Sequence, residues 1–104
     1  MTNKRIAIIG GAGFLGTRLS KRFKKKNIIH NNYDIDLSNK ENNSIYCDVE
    51  NVDSLTKFKG VDVIINLAAV HRDDVRPLSR YDDINVQGAK NVCEAASKHD
   101  VNKI

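Results

Sequence analysis

Apolar positions along the chain follow two alternating rhythms: short unbroken runs, and stretches in which they return every three or four residues. The first rhythm belongs to buried strands and the second to amphipathic helices. "RIAIIG", Arg5 to Gly10, is a β-branched run stopped by glycine, and predicts a first strand. From Gly13 to about Lys26 the stripe Leu15, Leu19, Phe23 predicts a helix that a basic last turn closes before Asn27. "NIIHNNYDID" predicts a second strand ending near Asp34, "SIYCDV" a short third, and "ENVDSLTKFKG" a weak helix capped at Gly60. "VDVIINLAA", apolar almost throughout, predicts a parallel strand covered on both faces at the centre of the sheet. A last helix is expected from about Asp83 to Lys98, with Val86, Ala89, Cys93 and Ala96 on one side and Asp82 or Asp83 as its cap. "VNKI" then stands where the rhythm asks for another strand.

Strands alternating with helices imply an α/β fold, a doubly wound parallel sheet with right-handed crossovers and about four strands in the 104 residues. With 40% hydrophobic and 29% charged residues the composition is that of one globular domain with a modest core. No run approaches the ~18 apolar residues of a membrane span, and the amino terminus lacks the pattern of a secretory leader. A cytoplasmic protein with no membrane partner is the expectation. Cys47 and Cys93 lie far apart without a cysteine or histidine cluster, so no metal site is expected and both are read as buried small hydrophobes. The net charge of +4 is concentrated in "KRFKKK", Lys21 to Lys26. Clustered cations suit a nucleic-acid backbone, but at the end of a helix they suit its dipole, and Phe23 falls on the apolar stripe. The solvated helix end is the stronger reading, with no nucleic-acid partner.

Four glycines, Gly10, Gly11, Gly13 and Gly16, fall within seven residues where the first strand meets the first helix. Glycine inside a helix costs about 1 kcal/mol relative to alanine, so the cluster needs another reason. A turn of this spacing lets Gly10 leave the strand tightly, Gly13 admit a pyrophosphate to the backbone and Gly16 pack helix on sheet. The helix amino terminus then faces the anion. "GFLGTR" lacks the Lys of a nucleoside-triphosphate loop, which disfavours ATP or GTP hydrolysis. Asp34 ends the second strand about two dozen residues on, where a carboxylate accepts hydrogen bonds from the adenosine ribose and repels a 2′-phosphate. Asp36 is second in line; the alternative for both is a turn residue at the end of a strand, and for Asp34 the ribose role is the stronger reading. NAD is therefore expected over NADP. Were NADP the ligand, Arg18 and Arg5 are the cations expected to meet its extra phosphate.

"GGAGFLG", "YD", "CDV", "VIINLAAVH" and "NVQGAKNVCEAA" follow one another in an order that resembles the amino-terminal part of the extended short-chain dehydrogenase/reductases, the NAD-dependent epimerase/dehydratase family. The resemblance implies a Rossmann-type dinucleotide-binding domain. It implies pyrophosphate contact by the backbone at Phe14 and Leu15, adenine flanked by Asp48 and Val49, and a floor of Leu67, Ala68 and Ala69 beside ribose and pyrophosphate. Asn85 matches the family asparagine that opens the last helix. His71, in a loop with Arg72, Asp73 and Asp74, reads as solvated rather than catalytic.

Members of this family use a tyrosine and a lysine four residues later. Here the residues four places after Tyr33, Tyr46 and Tyr81 are Leu37, Glu50 and Asn85. The reading is a partial NAD(P)-binding domain, residues 1–104, belonging to a longer nucleotide-sugar epimerase or dehydratase and inactive alone. Its cut sheet edge predicts self-association. The alternative is a non-catalytic dinucleotide sensor or partner-binding module, and a weaker one is a flavin- or NADP-binding relative.

Overall fold

The computed structural model describes residues 4–40, 43–68 and 83–104. Four parallel strands, β1 (Ile6–Ile9), β2 (His30–Asp34), β3 (Ile45–Tyr46) and β4 (Val63–Asn66), form one sheet in the order β3-β2-β1-β4. The ladders run Ile6 to Ile9 against His30 to Tyr33 on one side and against Val63 to Asn66 on the other. β1 is thus the strand flanked by two others along its whole length, and Ala7, Ile8 and Ile9 are all buried. β4, expected at the centre, has β1 on one side and a parallel bridge from Val63 to Lys103 on the other, where "VNKI" begins to pair.

The alternation of side chains along a strand sends Ala7, Ile9, Tyr33 and Ile64 to one face. There they meet Leu55, Phe58, Val92, Ala95 and Ala96 in the main core. Ile8 and Asn32 face the opposite way, toward helix α1 (Phe14–Lys25). Helices therefore cover both faces, the second being α2 (Ala89–Lys98), preceded by a π-helical stretch at Asp83–Gly88.

Both α-helices end in the same way. Asn27 and Asp100 take φ of 59° and 57°, and Ile28 and Val101 donate back to the carbonyls of Phe23 and Ala96 at 2.8 Å each. This closes the orphan carbonyls with residues that tolerate the left-handed region.

Several sequence expectations shift in detail. The buried residues of α1 are Gly16 and Ser20; Leu15 is exposed, and Leu19 and Phe23 are half-buried. The helix is rotated because its first turn lies against the turn backbone, where a Cβ on Gly16 would come within 2.6 Å of the Gly11 Cα. Only glycine fits on that line, so Leu15 is turned outward. α2 is rotated likewise: Asn91, Val92, Ala95 and Ala96 are buried, whereas Val86 and Cys93 are exposed. Cys93 is thus a surface thiol, and Cys47 alone is buried. The cap expected from Asp82 or the Asp83 side chain lies outside the described residues, as does the His71 loop.

No α-helix forms between Glu50 and Gly60; a single 3-10 turn, Val52–Ser54, stands there. Side chains compete with the backbone along this stretch. Ser54 Oγ accepts from the Asp48 amide at 2.9 Å and lies 2.8 Å from the carbonyls of Asp48 and Asn51, while Asn51 Oδ1 accepts from the Asp53 amide. The chain then runs irregularly and drops Leu55 and Phe58 into the core. Gly60, with φ of 82°, turns the chain into β4 and caps nothing.

Candidate functional site

The carboxyl ends of β1, β2 and β4 meet over the glycine turn. Gly10 leaves β1 at φ 83°, and its amide and that of Gly11 both donate to the Tyr33 carbonyl, at 2.7 and 3.2 Å. The Ala12 amide donates to Asp34 Oδ2 at 2.9 Å, and the Gly13 amide to the Gly10 carbonyl at 3.1 Å. The turn is therefore fixed from within, before any ligand is considered.

Each glycine meets a different obstacle. A Cβ on Gly10 would stand 3.0 Å from the Leu67–Ala68 peptide, and one on Gly11 2.7 Å from the Asn32 Cβ. Gly16 is the tightest, pressed on Gly10 and Gly11. Gly13 has no such neighbour among the described residues: of these its Cβ would meet only the Gly10 carbonyl, at 3.4 Å, and its φ of −76° suits any residue. It is exposed, and it precedes a helix start with no side-chain cap and no acid in the first turn.

Two grooves open on either side of this turn and share Gly10, Gly13 and Leu67. One, of about 220 Å³, runs past Asp34, Ile35, Cys47, Asp48, Val49, Glu50 and Ala68. The other, of about 580 Å³, is walled by Phe14, Leu15, Gly16 and Asn66. Of the sequence-predicted residues, Gly10, Gly13, Phe14, Leu15, Gly16, Asp34, Asp48, Val49, Leu67 and Ala68 thus lie together along the grooves. Asn85 is exposed on the π-helical stretch and lines neither groove, and Ala69 lies outside the described residues.

Charge in the first groove has one sign. Asp34, Asp48 and Glu50 line it, and no described lining residue is a cation. Asp36 is exposed, and its bonds from the Ser38 hydroxyl and amide hold its carboxyl below the usual range. Arg5 is at the far end of β1, where its amide donates to Asp62, and Arg18 stacks on the Phe14 ring at 4.4 Å. Burial, with the Asp48 carboxylate beside it, pushes the Cys47 thiol up to about 11, so that at neutral pH it is a protonated wall of the groove. Burial likewise raises the Tyr33 phenol, whose hydroxyl donates to the Lys57 carbonyl at 3.3 Å.

Two groups of polar residues under the grooves escaped the sequence reading. Asn91, buried on α2, donates through Nδ2 to the Val49 carbonyl at 2.8 Å. Ser20, His30 and Asn32 link α1 to β2 through contacts of 2.7 and 3.0 Å. Spacing alone gave no sign of either, because their partners lie 10 to 42 residues away in sequence. No cluster of three metal-ligating side chains occurs among the described residues, and none of their helices is long and apolar enough to cross a membrane.

Comparison with known proteins agrees with this geometry. Residues 6–104 match the model of the NAD dependent epimerase/dehydratase family. The chain is 34% identical over 113 residues to the N-acetyl-alpha-D-glucosaminyl-diphospho-ditrans,octacis-undecaprenol 4-epimerase of Escherichia coli O157:H7, covering 98% of this chain and 31% of that protein. Among solved structures it superimposes on the Bordetella bronchiseptica enzyme WbmG in complex with NAD and UDP, with a TM-score of 0.79, 27% identity, and coverage of 96% and 36% of the two chains. It also superimposes on an Agrobacterium tumefaciens uronate dehydrogenase mutant complexed with NAD, with a TM-score of 0.76, 26% identity, and coverage of 93% and 37%. The chain spans about a third of the length of these relatives and matches the amino-terminal portion of the epimerases. A parallel sheet in the order β3-β2-β1-β4 with a glycine turn at its carboxyl end, joined to a family match over nearly every residue, establishes that this chain belongs to the NAD-dependent epimerase/dehydratase family.

Proposed function

We propose that this chain binds NAD along the two grooves and forms the dinucleotide-holding part of an oxidoreductase that epimerises or dehydrates a nucleotide sugar. The observation that carries the reading is Gly13. Its neighbours Gly10, Gly11 and Gly16 are each required by the fold, but nothing among the described residues requires glycine at Gly13. A ligand that must touch the backbone there supplies the missing reason, and the uncapped start of α1 gives that ligand the charge of a pyrophosphate.

In this reading the turn amides and the backbone at Phe14 and Leu15 face the pyrophosphate. Asp34 accepts from the adenosine ribose, Asp48 and Val49 flank the adenine, and Leu67, Ala68 and Ala69 form the floor. NAD held by these residues would supply the hydride acceptor for the substrate. The acidic wall of Asp34, Asp48 and Glu50 repels a 2′-phosphate, which favours NAD over NADP. A nucleotide sugar is the proposed substrate because a Methanocaldococcus jannaschii relative, 34% identical over 116 residues, bears the name of a UDP-glucose 4-epimerase and the WbmG structure is a complex with NAD and UDP. None of the 104 residues forms the tyrosine–lysine pair that moves the proton in this family, so this stretch alone is proposed to turn over nothing. Two free thiols, Cys47 and Cys93, suit a cytoplasmic address.

Calorimetric titration of NAD into wild type and Gly13→Val tests the proposal. Binding by wild type and at least tenfold weaker binding by a folded Gly13→Val is the expected outcome; equal affinity overturns it.

A further inference from the structure

We infer that Asn91 is a positioning residue, which fixes the adenine side of the dinucleotide groove from the helix beyond it. The inference rests on the NAD-binding reading above and extends it to a residue outside the grooves. Asn91 is buried on α2 and lines neither of them. Its Nδ2 donates to the Val49 carbonyl at 2.8 Å across 42 residues of sequence, and its Oδ1 accepts from Gln87 Nε2 at 3.1 Å. The two bonds orient the amide unambiguously: the donor faces the groove segment and the acceptor faces the preceding turn of helix.

Asp48, Val49 and Glu50 form one wall of the first groove. This wall is short and lies outside regular structure, separated by Cys47 alone from the two-residue strand β3. Local bonds shape it from one side, with Ser54 Oγ on the Asp48 amide and Asp48 Oδ1 accepting from the Glu50 amide at 2.9 Å. These bonds stay within the segment and do not set its distance from the sheet. That distance is set by Val49, whose side chain is buried in the core, by the Cys47 amide on the Asp34 carbonyl, and by the Asn91 bond, the one hold on the Val49 backbone that comes from α2, which Val92, Ala95 and Ala96 keep against the core. A buried carbonyl deprived of its donor is costly, so without the amide the segment moves to find water. The wall on which an adenine lies then moves with it.

Hydrogen exchange and NAD titration on the intact encoded protein test this, comparing wild type with Asn91→Leu and Gln87→Leu. Asn91→Leu keeps the side-chain volume and removes the donor. Faster exchange at residues 48–54 with β1 and β4 unchanged, about tenfold weaker NAD binding, and a narrower preference for NAD over nicotinamide hypoxanthine dinucleotide are expected. Gln87 is exposed, so Gln87→Leu preserves the fold and should give a smaller change in the same direction, deciding the matter if Asn91→Leu does not fold. Unchanged exchange at 48–54, or equal acceleration throughout the sheet, overturns the inference. A wild-type protein that binds no NAD defeats the proposed function instead, and the exchange measurement still decides whether Asn91 holds the segment.

Discussion

The carboxylate of Asp34, at the end of β2, accepts a 2.9 Å hydrogen bond from the amide of Ala12 in the middle of the glycine turn. Its other oxygen accepts from the Asp36 amide, also at 2.9 Å. One side chain thus ties β2 to the turn after β1 and shapes the exit from β2. An ionised carboxylate has about four acceptor sites, so this duty leaves room for a ribose hydroxyl.

Replacing Asp34 should therefore affect folding and binding together. Asp34→Ala is expected to cost about 1–3 kcal/mol of stability through the unpaired turn amides, and to weaken NAD more than NADP. Thermal denaturation and paired titrations with the two dinucleotides measure this. An unchanged ratio of the two affinities would reduce Asp34 to a clamp on the turn.

The irregular crossover makes a separate prediction. Phe58 is fully buried and tilts against Tyr33 with ring centroids 5.2 Å apart. Phe58→Ala is expected to destabilise by about 3–5 kcal/mol, read as a lowered midpoint in urea. Ser54→Ala should cost about 1 kcal/mol by freeing the backbone around Asp48. A loss below about 1 kcal/mol for Phe58→Ala would mean that this segment does not lie over the core as described.

What the sequence made legible follows from the range of the forces involved. β1, β2 and both α-helices were readable because each announces itself locally, by a β-branched run or by apolar spacing. The crossover was not, because Asp48, Asn51 and Ser54 draw on the backbone bonds a helix would need, and spacing does not register that competition. The faces of α1 and α2 were each misread because the fold seats Gly16 and Asn91 inward, a glycine and a polar residue that an apolar stripe passes over. The glycine turn and Asp34 were visible as a pattern, whereas their direct bond through Ala12 depends on strand order and appears only in three dimensions.

The two cysteines should separate under chemical labelling and under alkaline pH. Cys93 is exposed and is expected to react with iodoacetamide in the native protein, while Cys47 reacts only on unfolding, as mass spectrometry of the labelled peptides will show. Well below pH 9 the Cys47 thiol is neutral whether the chain is folded or unfolded. Above it the unfolded thiol, with its ordinary value of 9.0, loses its proton while the folded one holds it to about 11. The unfolded state then binds fewer protons, so stability falls as pH rises through this window. The raised Tyr33 phenol acts in the same direction. Cys47→Ala should make the fall between pH 9 and 11 shallower, and an unaltered slope in urea midpoints across that range would show that the thiol is not held neutral by the fold.

Alanine at two glycines three residues apart should produce opposite phenotypes. A Cβ at Gly16 collides with three backbone atoms, the Gly10 carbonyl oxygen, the Gly11 Cα at 2.6 Å and its carbonyl carbon at 2.8 Å, and backbone cannot swing aside as a flexible side chain does. Gly16→Ala therefore has to push α1 off the turn, opening the contact between Ser20 and Asn32 behind it, and is expected to lower stability by about 1–3 kcal/mol. At Gly13 the added carbon meets one carbonyl at an ordinary contact distance, and the backbone is already extended, so the cost to stability is that of a poorer helix cap, about 1 kcal/mol or less. The same methyl faces the groove where a pyrophosphate is proposed to lie. Gly13→Ala should thus melt close to wild type and lose NAD affinity, whereas Gly16→Ala should melt early and recover much of its loss when saturated with NAD, because a ligand that binds only the folded state stabilises it by mass action. Differential scanning fluorimetry of both variants over a range of NAD concentrations distinguishes the two cases. If Gly13→Ala proves the less stable of the pair, or gains as much from NAD as wild type does, the division of labour among these glycines has been assigned to the wrong residues.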